Sequence, residues 1–263
     1  MGAEIFVNNE GVITVPWNHR LYRGWKNPYF RFFKIEAGDV VLDLGASRGD
    51  FAAMCLNVPK TKCISVEASN FNSIILKKRT DLWNETLKEQ RFVTAPRAIT
   101  GADTGSFVEI DTNITDGRRW KTLTCIAIDE RTSSSDEVRR SDSNFVETIS
   151  FMDLIRQHNL NHIDFMKMDV EGSEYSIFND EESFDFILNN IDKIVIEFHL
   201  QYLREVQGYS EEEAVETSNK IIDRFIEAGH ELHVLPRTRF VKMTREPRPT
   251  LNTDCMDLWA IRK

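Results

Sequence analysis

The sequence predicts an α/β fold built on a parallel sheet of the doubly wound kind, and two observations carry that prediction. The first is the run Val40-Val41-Leu42-Asp43-Leu44-Gly45-Ala46-Ser47-Arg48-Gly49-Asp50. Its apolar half is of strand type and ends in an acid, glycine and small residues let the backbone turn tightly, and a helical segment opens at Asp50 with its free amides facing the turn. The second is Cys63-Ile64-Ser65-Val66-Glu67-Ala68, a strand whose terminal acid follows the turn by about twenty residues, where a carboxylate accepts hydrogen bonds from both hydroxyls of a ribose. Together they form the opening βαβ unit of a nucleotide-binding sheet.

The remaining elements follow in order. Residues 1–37 are expected to be a lead-in or cap segment, with Tyr29, Phe30, Phe32 and Phe33 packing it onto the sheet, and residues 38–263 the main domain. Within that domain the pattern predicts strand 39–44, helix 49–57, strand 62–67 and helix 70–80. Ser69 or Asn70 caps the last of these, and Lys77, Lys78 and Arg79 fall in its final turn, where cations suit the helix dipole. Strand 91–95 comes next, then two strands, 107–110 and 123–128, as a hairpin or extra pair around Asp116-Gly117. Residues 131–144 are polar and poor in apolar side chains, and are expected to be a mobile loop. Phe151, Leu154, Ile155 and Leu160 recur with helical spacing from Ser150 onward. Strands at 162–169 and 194–199, a helix from Ser210 to Ala228 ended by Gly229, a strand 231–235, a basic loop 236–254 and a final strand 256–262 complete the chain.

Size and charge narrow the function. At 263 residues the chain fits one α/β domain with extensions. A net charge of −9 argues against a wide phosphate-backbone footprint and so against a nucleic-acid partner. No apolar run reaches the roughly 18 residues of a membrane span, and Met1-Gly2-Ala3-Glu4 carries no secretory pattern. Cys55, Cys63, Cys125 and Cys255 are widely spaced, without zinc-type pairs. A soluble, cytoplasmic protein with reduced thiols is expected.

The turn also discriminates between nucleotides. A dinucleotide fingerprint, G-x-G-x-x-G, needs its middle glycine so that pyrophosphate reaches backbone amides, whereas here Ala46 and Ser47 occupy that space. Asp43 adds negative charge where phosphates would lie. S-adenosylmethionine has no phosphate and carries an ammonium and a sulfonium, so it is the expected ligand, with Asp43, Gly45, Ala46, Ser47, Gly49, Glu67, Ala68 and Asp169 in its site.

Chemistry concentrates at two further strand ends. In Ile163-Asp164-Phe165-Met166-Lys167-Met168-Asp169, period two places Lys167 and Asp169 on one face. Glu197 and His199 share a face in Ile194-Val195-Ile196-Glu197-Phe198-His199. Ligands of a doubly wound sheet sit outside the C-terminal strand edge, which places Asp169 beside a transferred methyl group and His199 or Glu197 as general base. Lys167 is expected to neutralise a neighbouring acid. Glu171 either contacts substrate or, like Glu174, caps the following helix. Asp169, Glu197 and His199 suit a divalent ion chemically, but no tight ligand spacing supports one and no metal site is assigned. Arg237 and Arg239, together with Arg118 and Arg119, are candidates to recognise an anionic group on the acceptor, against the alternative of a solvated, charge-alternating hairpin.

On Val41-Leu42-Asp43-Leu44-Gly45-Ala46-x-x-Gly49, Val66-Glu67-Ala68, the run Ile163 to Glu174 and Ile196-Glu197-Phe198-His199, the chain resembles the FkbM-type family of S-adenosylmethionine-dependent methyltransferases. The resemblance covers residues 38 to about 200. It implies a Rossmann-like, class I methyltransferase fold: a seven-stranded, mostly parallel sheet with an antiparallel last strand and helices on both faces. It also implies O-methylation of a hydroxyl on a small-molecule or glycan acceptor, such as a sugar, glycoside or small natural product. N-methylation, methylation of a nucleic-acid hydroxyl, a nicotinamide dehydrogenase and a non-catalytic binding protein are the alternatives.

Overall fold

The computed structural model describes residues 6–7, 13–14, 28–101, 107–111, 124–126, 145–238, 248–249 and 253–263. The expected loop 131–144, the Asp116-Gly117 turn, Arg118, Arg119, Arg239 and most of the lead-in segment lie outside these residues.

Numbered in chain order, the strands are β1 (Phe6–Val7), β2 (Ile13–Thr14), β3 (Val40–Leu44), β4 (Lys62–Val66), β5 (Phe92–Ala95) and β6 (Ala98–Thr100). They continue with β7 (Phe107–Asp111), β8 (Thr124–Ile126), β9 (Phe145–Ser150), β10 (Ile163–Met168), β11 (Ile191–His199), β12 (Glu231–Thr238) and β13 (Thr253–Ile261). Seven of them form the main sheet in the order β12-β13-β11-β10-β3-β4-β5. β11, β10, β3, β4 and β5 pair in parallel, and β13 is antiparallel to both of its neighbours, so β12 runs with the parallel set. The architecture is the one implied by the sequence, with the last strand antiparallel.

β3 and β10 lie at the centre, covered on both faces, which is why they read as nearly continuous apolar runs. Leu42, Leu44, Met166, Met168, Ile194 and Ile196 pack on one face. Val41, Phe165 and Val195 point to the other, where Phe33, Phe51 and Trp259 meet them. The lead-in aromatics cover this second face: Phe30 stacks on Phe51 with centroids 5.5 Å apart, and Phe33 meets Phe165 edge-on at 5.2 Å. Phe32 is more exposed but stacks on His233 at 3.9 Å.

The helices are α1 (Ala52–Cys55), α2 (Asn70–Leu87), α3 (Phe151–Gln157), α4 (Glu174–Asn179), α5 (Glu181–Asn190), α6 (Leu200–Glu205) and α7 (Glu211–Glu227). Two differ from expectation. The helix expected over 49–57 is a single turn, because the positive φ of Gly49 delays its start and Pro59 excludes helical geometry shortly after. The Arg91 guanidinium ends it, donating to the carbonyls of Cys55, Val58 and Thr61. Conversely, α2 runs to Leu87, since Leu76, Thr80, Trp83 and Asn84 continue its buried face. Lys77 and Arg79 are therefore mid-helix, paired with Asp81 and Asp50 rather than serving the dipole. Ser69 caps α2, Ser150 caps α3, and Ser210 with Glu213 forms a capping box on α7.

The strand expected over 231–235 extends to Thr238, and Pro236 fits because β12 is an edge strand. The last strand spans Thr253–Ile261 instead of 256–262; both ends of the expected basic loop 236–254 are thus strand, and its residues 239–247 and 250–252 lie outside the described residues. A second sheet, ordered β6-β9-β7-β8, was not expected in this form. The β7–β8 pairing matches the predicted extra pair, whereas β6 and β9 have no strong sequence signal, being three residues long and half-polar respectively.

Asn84 fastens α2 to the edge strand β5: its Oδ1 accepts from the amides of Arg91 and Phe92, and its Nδ2 donates to the Phe92 carbonyl at 2.7 Å. Asn84→Ala leaves these groups orphaned in a buried place, and a loss of about 2–4 kcal/mol is expected in urea unfolding. Ser210→Ala, which removes only a helix cap, is expected to cost about 1 kcal/mol.

Candidate active site

The parallel strands bring their C-terminal ends to one edge, and the turn after β3 is the tightest part of it. Gly45 has φ +75°, and a Cβ there would lie 1.7 Å from the Asp169 carbonyl oxygen. No other residue allows the turn to pass so close to the end of β10. Both Gly45 and Ala46 donate their amides to the Val66 carbonyl, and the Asp169 amide donates to Leu44. The ladder thus continues past the strand ends and clamps three loops together.

Glu67 closes the turn from the other side. Its carboxylate accepts from the amides of Ser47 at 2.6 Å and Ser69 at 2.8 Å. The first bond requires Ser47 to adopt φ +51°, a left-handed conformation that non-glycine residues take at a cost of about 1–3 kcal/mol when the surroundings impose it. Burial raises the Glu67 pKa, and the two amides oppose the shift. The four acceptor positions of the carboxylate serve these two amides and the Asn72 side chain, which also hydrogen-bonds it.

Next to this turn lies an open cleft, lined by Gly45, Ser47, Glu67, Ala68, Asp169 and Glu171 among the expected residues. Val66, Ser69, Asn72, Arg97, Ala98, Ile99, Val170 and Ser173 complete its wall. Ala98 and Ile99 belong to the unexpected β6 strand, and they contribute apolar surface to the cleft. Asp43, Ala46, Gly49 and Lys167 are not on the wall. Gly49 sits under α2, where a Cβ would meet Leu76 Cδ1 at 2.6 Å, so its glycine serves packing.

Asp43 is completely buried and faces Lys167, with Oδ1 3.5 Å from Nζ. The two are direct cross-strand neighbours in the β3–β10 register. Lys167 donates to the carbonyls of Gly45 at 2.6 Å and Leu44 at 3.2 Å, and its Nζ lies 3.8 Å from Asp169 Oδ2. The ammonium therefore binds the turn from beneath, as an ion pair at the floor of the site. Burial pushes the Asp43 pKa up to about 6, against the opposing pull of Lys167. Burial disfavours the Lys167 charge, but Asp169 and Asp43 outweigh it and raise its pKa.

Asp169 joins the cleft to a second group of ionisable residues. Tyr29, from the lead-in segment, donates its hydroxyl to Asp169 Oδ2 at 2.8 Å; burial, then Asp169, hold the Tyr29 pKa well above its usual value. His199 Nε2 lies 3.3 Å from Glu171 and 3.8 Å from both Asp169 and Glu197. Behind it the fully buried Glu174 accepts from the His199 amide at 2.7 Å, from Nδ1 at 3.1 Å and from the Gly172 amide at 2.9 Å. Burial alone would strip the imidazole of its proton, but Glu174, Glu171 and Asp169 prevail and push its pKa up to about 10.

Glu174, a candidate helix cap in the sequence, is thus the anchor of His199. Its neighbour Gly172 admits no side chain, since a Cβ there would collide with the Tyr202 ring. Tyr29 carried no individual signal within its aromatic cluster. Arg237 pairs with Cys255, which in turn pairs with His199, so its backbone lies at the same sheet edge two strands away. Arg248 is engaged by Asn219 and Asp223 of α7.

Lys167→Met leaves Asp43 as an uncompensated buried charge, which is expected to cost about 3–5 kcal/mol at pH 8. The Asp43 pKa, already raised, rises further in this variant, so stability is greatest when Asp43 is protonated and falls as pH rises through that pKa. Urea unfolding at pH 5 and pH 8 is expected to show the larger deficit at pH 8. The double variant with Asp43→Asn should recover most of it.

A family model described as the methyltransferase FkbM domain matches residues 43–232. Among solved structures, the chain is similar to the FkbM methyltransferase from Methylobacillus flagellatus KT, with 15% identity and TM-score 0.47, over 88% of this chain and 46% of that one. It therefore spans under half of that protein's length. Aeropyrum pernix fibrillarin, solved with natively bound S-adenosyl-L-methionine, is similar at 13% identity and TM-score 0.48, over 99% of this chain and 83% of that one. An O-methyltransferase from Bacillus cereus in complex with SAH is similar at 11% identity and TM-score 0.40, over 85% and 74% respectively. No curated protein sequence matches. With the family model covering most of the chain, including the turn and the acidic strand ends, the chain belongs to the FkbM family of S-adenosylmethionine-dependent methyltransferases.

Proposed function

We propose that the chain O-methylates a hydroxyl of a sugar, glycoside or small natural product, and that the acceptor enters beside Asp169, Glu171 and Glu197. The observation carrying this reading is the continuity at Asp169 of two environments, a cleft lined by Glu67, Asp169 and Glu171 with the apolar Ala98 and Ile99, and a cluster of acids around His199. The cleft suits the donor: the Glu67 carboxylate on its wall can accept from a ribose hydroxyl beside its bonds to Ser47, Ser69 and Asn72, and Ala98 and Ile99 offer apolar surface to a base.

When bound, the donor supplies an electrophilic methyl group, whose bond to sulfur breaks with the electron pair leaving to sulfur as the bond to the acceptor oxygen forms. Alignment is then the main task of the protein. Asp169, held by Tyr29 and Lys167, stands where the two environments meet and orients the acceptor. The hydroxyl proton passes to a base. Of His199 and Glu197 we assign this to Glu197, because His199 already holds a proton among four carboxylates. A ring of acids also suits the many hydroxyls of a sugar, each able to donate to a carboxylate. Anion recognition by Arg237 and Arg239 is the remaining part of this proposal.

Calorimetry with S-adenosylmethionine and its demethylated product is expected to show one site. Glu67→Gln is expected to weaken it about 10- to 100-fold, the worth of a hydrogen bond to a charged acceptor. A screen of hydroxyl compounds with labelled donor and mass detection should yield an oxygen-methylated product. Failure to bind either ligand would favour a scaffold that merely retains the fold, and a product methylated on nitrogen would reverse the assignment of the acceptor atom.

A further inference from the structure

We propose that Asp169, Glu171 and His199 form a binding site for one octahedral divalent cation of the Mn2+ type, placed to hold the acceptor's hydroxyl. One ligand atom from each lies within 4.8 Å of the other two. His199 Nε2 is 3.3 Å from Glu171 Oε2 and 3.8 Å from Asp169 Oδ1. A charge-assisted hydrogen bond is shorter, about 2.7–2.9 Å. Ligands about 2.1 Å from a metal stand about 3.0 Å apart when adjacent and about 4.2 Å apart when opposite, and the two separations from His199 Nε2 lie between these values.

A cluster of acids alone would not identify a cation site, and the imidazole supplies the independent observation. His199 is almost wholly buried, its side chain 4% exposed, and Nε2 points into the carboxylates of Glu171, Asp169 and Glu197. Its other nitrogen faces Glu174, which is fully buried and also holds the His199 and Gly172 amides. A buried carboxylate that accepts a hydrogen bond from Nδ1–H fixes the ring and leaves Nε2 to ligate the ion, the arrangement that supports metal-binding histidines. Glu171 is drawn into the same place by a left-handed backbone, φ +53°, a conformation that non-glycine residues keep when the surroundings impose it.

Two carboxylates and one imidazole suit a first-row divalent ion and leave positions for water and an acceptor oxygen. On binding, the ion replaces the Nε2 proton, which passes to solvent. The site rests on this geometry alone. Its role, acidifying the acceptor hydroxyl so that Glu197 removes its proton more readily, rests on the methyl-transfer reading above.

The test is a titration of the chelator-treated full chain with MnCl2, followed by electron paramagnetic resonance of free Mn2+ and by calorimetry. One ion per chain is expected. His199→Gln and Glu171→Gln should each weaken it at least about 10-fold, and S-adenosylmethionine binding by His199→Gln, whose side chain is off the cleft wall, shows that this variant is folded. Absence of bound Mn2+ in the native chain overturns the proposal, whatever the donor titration shows. So does unchanged Mn2+ affinity in both variants. A native chain that binds Mn2+ but not the donor keeps the site and removes its role in methyl transfer.

Discussion

The buried Lys167 ammonium is the constraint on which the site depends. It lies at the centre of the sheet, between Asp43 on the neighbouring strand and Asp169 at the end of its own, and donates to two carbonyls of the turn after β3. Removing a charge of either sign from water costs several kcal/mol unless partners compensate it. Each of these groups therefore requires the others in place. The result is a rigid floor under the Gly45 turn, and the turn in turn positions Ser47 against Glu67 and sets the wall of the cleft.

The same logic extends along the strand edge. Asp169 is shared by Lys167, Tyr29 and His199, so the lead-in segment, the β3–β10 pair and the end of β11 converge on one carboxylate. The acids further out, Glu171 and Glu197, lie against a single buried imidazole that Glu174 fixes from behind. This concentration of negative charge is costly for stability unless a cation or polar ligand shares it. Clusters of this kind mark functional places more often than structural ones.

Much of this was legible in the sequence because the motifs are local. The glycine turn, the acid at the end of β4 and the alternation that pairs Lys167 with Asp169 and Glu197 with His199 all follow from strand period and residue type. What was not legible depended on contacts distant in the chain. Asp43 reads like a ligand-facing acid, yet its pleat and register turn it towards Lys167. Ala98 and Ile99 wall the cleft from a strand of three residues whose partner, β9, lies about fifty positions later. Glu174 satisfies the dipole rule for a helix start, so nothing in its neighbourhood announces that it anchors His199. α2 exceeded its expected length because the polar Thr80 and Asn84 continue a buried face that an apolar pattern does not register.

The central claim is that Glu67 holds the ribose of an adenosine-bearing donor beside Asp169. A crystal structure of the full chain with S-adenosylhomocysteine tests it most directly. The account predicts density in the cleft next to Ser47, with both ribose hydroxyls within hydrogen-bond distance of the Glu67 carboxylate and the sulfur directed towards Asp169. A ligand bound elsewhere, or a Glu67 carboxylate turned away from the ribose, would contradict it.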